Sequence, residues 1–313
     1  DLKTLQDLIN LINDYETKKL PSKKIRRTYP NKMKMLPNIL EDLEDLNNMI
    51  GMDKLKRQII DQILFFIQGV EENIMLHTVL EGPPGTGKTT VAQIMANIYS
   101  KLGIFKKVKF NIVKRADLVS EYLGGTTIKT LETLNRCKNG VVLIDEAYSL
   151  GSGNSGEGDM YSKECVDTLN QYLTEHSDKI ICIIAGYKKE LNDCFFSINP
   201  GLKRRFPWTF TIENFNCIEL TEIFFRKVKE REWETTCDSK DISDILGKNI
   251  KYMDGNGGDI NSIIEKAMIV NIRKNFAKDT IYNITSEDFK EAFEIFIENK
   301  KGKDNSPPNG MYN

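Results

Sequence analysis

Apolar positions along the chain follow two different periods. Leu2, Leu5, Leu8, Ile9 and Ile12 recur at helical spacing, which predicts a short amphipathic helix within residues 1–20. Ile39, Leu40, Leu43 and Leu46 repeat the pattern in an acidic stretch and predict a helix over 36–47. A longer amphipathic helix follows Met49-Ile50-Gly51-Met52, carried by Leu55, Ile59, Ile60, Ile63, Leu64 and Ile67. The period then changes. Residues 75–80 read as a buried strand, and 107–113 alternate as a strand does. Residues 140–144 and 179–185 are nearly continuous apolar runs, the mark of strands covered on both faces of a parallel sheet. Between the strands, Val91, Ile94, Met95, Ile98 and Leu102 predict a helix over 90–102. Another helix starts at 116–120, and a further one turns Cys165, Val166, Leu169 and Leu173 inward. A short strand at 208–212 closes this part. Beyond residue 214 the pattern is helical throughout: 217–232, 241–248, 259–274 and 286–299, the last with Thr285 as its N-cap. The chain therefore divides into an N-terminal helical extension with a basic linker (1–47), an α/β domain (48–213), a smaller all-helical domain (214–300) and a disordered tail (301–313). No internal repeat is visible.

Composition narrows the class. The 313 residues suffice for two domains, and 40% hydrophobic with 28% charged residues is ordinary for a soluble protein. A net charge of −1 gives no global basic field for nucleic acid. One local exception is the basic 18–34 stretch, read first as a solvated linker and second as a patch for nucleic acid or another anionic partner. The six cysteines form no C-x-x-C pair and only two histidines exist, so a reduced, intracellular protein without a zinc site is expected. No run approaches the roughly 20 apolar residues of a membrane span, and no signal-peptide pattern is present. The chain opens on Asp1 rather than Met, which suits a fragment or a processed product.

The chemistry concentrates at two places. Gly82-Pro83-Pro84-Gly85-Thr86-Gly87-Lys88-Thr89, followed by Thr90, fits G-x-x-x-x-G-K-[ST] without departure. It lies between a predicted strand and a predicted helix, the context the pattern demands. Glycines there let several N–H groups converge on a phosphate, and the helix N-terminus adds a positive end. Lys88 would reach the β- and γ-phosphates of ATP, and the Thr89 hydroxyl would ligate Mg²⁺. The second place is Asp145-Glu146, at the end of an apolar strand, where open α/β sheets put their ligands. Asp145 would hold Mg²⁺ through water, and Glu146 would polarise the attacking water. A strand ending in two acids says little alone; downstream of a phosphate loop it says a great deal.

Weaker signals surround these. The Ile50-Gly51 turn is a candidate wall for an adenine pocket. Tyr122-Leu123-Gly124-Gly125 suits an exposed loop, although composition alone favours Tyr122 packing back on its own core. Arg204 and Arg205, just before a strand, either pair with local acids or reach across a subunit boundary to a neighbour's γ-phosphate.

Taken together, the phosphate loop, Ile144-Asp145-Glu146-Ala147-Tyr148, Ile184-Ala185-Gly186-Tyr187, the segment 199–206 and Tyr122-Leu123-Gly124 resemble an AAA+ ATPase, and within it the CbbX / stage V sporulation protein K (CfxQ) group. The resemblance covers about residues 48–300 and leaves out the first 47 and the tail. It implies a P-loop αβα domain with a helical lid, assembled into homohexameric rings that hydrolyse ATP and pull a protein through a central pore. Tyr122 would then be the pore-loop aromatic, with Leu123 and Gly124 beside it, which reverses the reading from composition. Arg205 would be the arginine finger, with Arg204 as its neighbouring candidate. Two positions depart from the superfamily pattern. Tyr187 stands where Asn often ends the fourth core strand, as in the CbbX group, and would face the nucleotide. Gly258 stands where many lids carry an arginine, so hydrolysis would lean more on the neighbour's finger. The competing functions are a nucleic-acid motor or clamp-loader-like ATPase using 18–34, and a nucleotide-gated scaffold; the pore-loop aromatic disfavours the first, and intact Lys88, Asp145 and Glu146 disfavour the second.

Overall fold

The computed structural model describes residues 2–17, 31–68, 75–105, 109–122, 124–151, 160–276 and 282–304. Leu123, most of the basic 18–34 stretch, residues 107–108 and the end of the tail lie outside the described residues. The chain forms two compact units: Asp1–Gly82 with Gly87–Ile212, and Pro83–Thr86 with Glu213–Asn313. The middle of the phosphate loop thus groups with the C-terminal helices, while its flanks belong to the sheet.

The first unit is built on a parallel sheet of β1 (Thr78–Glu81), β2 (Phe110–Val113), β3 (Gly140–Ile144), β4 (Ile180–Gly186) and β5 (Trp208–Thr211), in the order β2-β3-β4-β1-β5. β3 and β4 are buried along their whole length because helices cover both faces. Alternate residues serve alternate cores. Val141, Leu143, Ile181, Ile183 and Ala185 pack with α3 (Asp53–Gln68) and α4 (Lys88–Lys101). Val142, Ile144, Cys182 and Ile184 pack with α6 (Gly125–Arg136) and α7 (Met160–Glu175). The N-terminal extension is part of the first core. Leu5, Leu8 and Ile12 of α1 (Leu5–Thr17), and Leu43 and Leu46 of α2 (Leu40–Asn48), join it directly.

Several boundaries differ from expectation. The helix expected over 36–47 is α-helical only from Leu40; Asn31–Ile39 is a 3₁₀ stretch holding Pro37, which has no N–H to give an α-helix. The strand expected over 75–80 pairs only from Thr78, because the His77 ring accepts the Cys182 N–H (3.1 Å) that a ladder carbonyl would have taken. The strand expected over 107–113 pairs from Phe110, and the helix near 116 is one turn, α5 (Arg115–Leu118).

The first unit also holds the short helix α8 (Lys188–Glu190); in the second unit, α9 (Cys217–Glu230), α10 (Ser239–Lys248), α11 (Gly257–Asn275) and α12 (Ser286–Asp304) pack around Phe224, Ile260, Ile264, Phe289 and Phe293. Asn216 caps α9 in a capping box, accepting from Ile218 and Glu219 N–H at 2.9 Å. Thr285 caps α12 as expected: its hydroxyl accepts the Asp288 N–H at 3.2 Å. This unit is not wholly helical. Strands β6 (Glu234–Thr235) and β7 (Asn283–Ile284) pair in parallel. The tail also orders further than expected, since α12 continues through Asp304.

Candidate functional site

The strands deliver their carboxyl ends to one edge. β1 ends at Glu81, and the next amide, Gly82 N–H, bonds the Gly186 carbonyl at 3.1 Å. Asp145 N–H bonds the Val113 carbonyl at 3.2 Å, so β3 leads straight into its two acids. Past Gly82 the chain must turn sharply: Gly85 and Gly87 have φ of +69° and +84°, a region side chains disfavour. The Thr86 hydroxyl steadies the turn by donating to the Pro83 carbonyl (2.9 Å). α4 then begins at Lys88, with Thr89 and Thr90 exposed on its first turn.

Lys88 is folded inward. Its ammonium donates to the Gly82 carbonyl at 2.9 Å and sits 5.4 Å from the Tyr187 ring centre. Burial pushes its pKa down, while the charges of Asp145 and Glu146 push back. The lysine, both acids and Tyr187 therefore share one neighbourhood. Asp145 is half-buried and its Oδ1 accepts the Glu146 N–H at 3.0 Å. Glu146 is exposed at φ 52°, an uncommon conformation for a residue with a side chain and one that gathers at functional sites. Thr89 and Asp145 offer a hydroxyl and a carboxylate, the hard oxygen donors that suit Mg²⁺ when phosphates and water complete its shell. Among the described residues no cluster of three or more His, Cys, Asp or Glu is set up to hold a metal by itself.

Sequence reasoning missed three features here. Tyr148 stacks on Tyr187 with ring centres 5.3 Å apart, and burial followed by the Glu146 charge pushes its hydroxyl pKa well up. Glu81, 5% exposed, accepts from the Thr211 hydroxyl at 2.7 Å and pairs with Lys188 at 3.1 Å, tying the ends of β1, β4 and β5 together. Met49 and Met52 send their methyl groups towards Gly87, within 3.2 and 3.7 Å of where a β-carbon would stand. Ile50 is buried, and Gly51 and Met52 both take positive φ, which brings this turn up to the phosphate loop. The only advance signal was adjacency: Glu81 precedes the loop, Lys188 follows Tyr187, and the methionines flank Ile50-Gly51.

Arg204 and Arg205 lie elsewhere in this unit, on the 3₁₀ turn Leu202–Arg205, which is anchored by buried Leu202. Arg204 is exposed; Arg205 is half-buried, and its Nε is buried without a hydrogen-bond partner. Its charge reaches His77, whose ring centre lies 5.8 Å from that of Phe206 and whose pKa falls to about 4 through burial, opposed by the Leu173 carbonyl and assisted by the Arg205 charge. Tyr122 is different again: it is 79% exposed. The base of its loop is held by Tyr122 N–H to Ser120 Oγ (3.1 Å) and Gly125 N–H to Tyr122 O (3.1 Å). Gly124 there has φ +74° and open space around it. The expectation from composition, a tyrosine packed on its own core, is not what the structure holds.

All six cysteines are free thiols, and four of them are buried. Among the described residues no helix is long and apolar enough to cross a membrane.

Comparison with known proteins follows the same lines. The family model "ATPase family associated with various cellular activities (AAA)" matches residues 78–213. A putative cfxQ-like protein of Acanthamoeba polyphaga mimivirus is 35% identical over 311 residues, covering 97% of this chain and 76% of that protein. Stage V sporulation protein K of Bacillus subtilis is 33% identical over 271 residues, covering 80% of this chain and 82% of that protein. Among solved structures, the RuvB Holliday junction branch migration motor of Thermotoga maritima superposes with a TM-score of 0.56 at 18% identity, over 80% of this chain and 71% of that one. At that identity the likeness speaks for the fold alone.

Proposed function

The chain belongs to the AAA family of ATPases, alongside the cfxQ-like and stage V sporulation protein K proteins, and from that premise we propose that it is a ring-forming remodeller that draws a protein substrate past Tyr122. Nucleotide binding and ATP hydrolysis come with the family. The roles within the site are our assignment. Gly82 through Thr90 cradle the phosphates, with the Ile50-Gly51 turn beside them. Thr89 and Asp145 would hold Mg²⁺, which would supply charge neutralisation on the phosphates. Lys88 neutralises further charge on the phosphates, Glu146 takes a proton from the attacking water, and Tyr187 limits where Lys88 can swing. Arg205, with Arg204 as the exposed alternative, completes a neighbouring subunit's site, which makes the working form a homo-oligomer, a hexamer on the family's pattern.

One observation carries the remodelling reading: an aromatic side chain 79% exposed on a glycine-hinged loop whose base is pinned. Leaving such a ring in water makes sense where it grips passing chain, since an amphipathic ring holds many sequences without reading any. A nucleic-acid motor would be better served by Lys or Arg at that point.

Steady-state ATPase over a protein concentration series tests the proposal, with an unfolded protein or single-stranded DNA added. Specific activity should rise with concentration, and unfolded protein should raise it further. Stimulation by DNA alone would favour the motor reading. An activity that neither concentration nor polymer changes would count against both the shared site and the grip.

A further inference from the structure

The lid position where an arginine is missing has something else built beside it. Asn256 is 0% exposed and holds φ 51°, ψ −123°, a conformation a side chain keeps only where its surroundings over-determine it. Its surroundings do so. The Oδ1 atom accepts the Phe215 N–H at 2.9 Å. The Nδ2 group donates toward Asn214 Oδ1 (2.9 Å), the Asp254 carbonyl (3.1 Å) and the Pro84 carbonyl (3.2 Å). One side chain thus joins the phosphate loop, the lead-in to α9 and the turn before α11. The next residue adds a backbone bond, Gly257 N–H to the Gly85 carbonyl at 3.1 Å. The approach is so close that a β-carbon on Gly85 would stand 2.1 Å from the Gly255 carbonyl. From the other side the turn is fastened to α12: Lys300 pairs with Asp254 and, at 3.2 Å, with Asp259, while Gly255 N–H bonds Asp259 Oδ2 at 2.7 Å. Gly258, by contrast, has open space where a side chain would go.

We propose that Asn256 is a positioning residue through which the helical unit senses whether the phosphate loop holds nucleotide, doing by hydrogen bonds to loop carbonyls what a lid arginine would do by contact with phosphate. The reasoning is mechanical. A bound phosphate draws the loop's N–H groups toward it, and each peptide plane that turns carries its carbonyl along. The carbonyls of Pro84 and Gly85 are the ones held by Asn256 and Gly257. Any such turn is passed to Phe215, one residue before the cap of α9, and to the first turn of α11. The inference rests on the phosphate-loop assignment above.

The test is hydrogen–deuterium exchange on the full chain with and without ADP, paired with calorimetric ADP affinity and with kcat and KM for ATP. In the parent protein ADP should slow exchange at the amides of residues 215–219 and 257–260. Asn256→Gly accepts the unusual backbone without strain and removes all four side-chain contacts. It should still bind ADP, within roughly tenfold of the parent, the scale of one or two lost hydrogen bonds. Its ADP-dependent protection of the lid should fall sharply, with only the Gly257–Gly85 backbone bond left to carry it, and kcat should fall more than KM changes. Asn256→Asp keeps the acceptor for Phe215 but turns the donor into an acceptor facing three oxygens, and should behave alike. Asn214→Ala, an exposed position, gives a folded variant in any case and should weaken the response. The inference is overturned if Asn256→Gly or Asn214→Ala keeps the full ADP-dependent protection. It is equally overturned if the parent binds ADP with no change in the lid. Failure of the underlying site reads differently: Lys88→Ala would then bind ADP as tightly as the parent.

Discussion

Two tyrosines mark two regions of the first unit that obey opposite rules. Tyr187, at the end of β4, is stacked on Tyr148 and sits under the Lys88 ammonium, which itself feels the charges of two acids. Tyr122, on its loop, is 79% exposed, and its own N–H and carbonyl are bonded at the loop's base. Crowding suits the hydrolysis proposed for the strand-end region, where charges fixed in a partly dry setting are each worth more and little must reorganise. The bare loop suits the proposed grip, which would have to meet chains of many shapes. The comparison teaches that exposure, not residue type, separates the two proposed roles, and substitutions in each region should fail in different ways.

The largest effects belong to the crowded region. Lys88→Ala should abolish nucleotide binding as read by calorimetry; unchanged affinity would remove the phosphate-loop assignment. Glu146→Gln should bind ATP normally yet turn over at least ~10²-fold more slowly, the scale of a lost general base. Retained turnover would move the base to another residue. Next comes Arg205→Ala, expected to cost ~10³-fold in ATPase under assembling conditions while each subunit still binds nucleotide. Should Arg204→Ala be the variant that fails instead, the exposed arginine is the finger and Arg205 a buttress over His77.

A smaller effect lies outside both regions and calibrates them. Burial alone would raise the pKa of Asp288, but hydrogen bonds from Asn271, the Thr285 backbone and Lys274 more than offset it, so it falls below the ordinary 3.8. A carboxylate with a lowered folded pKa contributes stability above its unfolded pKa and loses it as pH falls through the folded value. Asp288→Asn should therefore cost about 1–3 kcal/mol near neutral pH and flatten the decline below about pH 4. Urea melts at several pH values would show this, without a change in kcat at neutral pH where the protein stays folded.

Much of the crowded region was legible because its parts are contiguous in sequence. Gly82 through Thr90 is one run, Asp145 and Glu146 are adjacent, and the strands that carry them are nearly continuous apolar stretches. What escaped is made of pairs far apart in the chain, brought together by sheet register: Glu81 with Lys188 and Thr211, Tyr148 with Tyr187. Asn256 escaped for a related reason, since a buried amide joining three segments looks in sequence like an ordinary turn residue. The β6–β7 pair escaped because two-residue strands have no period to detect. The start of β1 was misjudged because an imidazole stands in for a carbonyl in the ladder, which apolar patterning at 75–77 conceals.

The central claim is that hydrolysis and grip are separable on this chain. The most direct measurement is the ATPase rate of Tyr122→Ala with and without an unfolded protein, beside the parent. The account predicts an unchanged basal rate and no stimulation. Basal and stimulated rates falling together would make Tyr122 a structural residue, and stimulation surviving intact would place the grip elsewhere; either result contradicts the account.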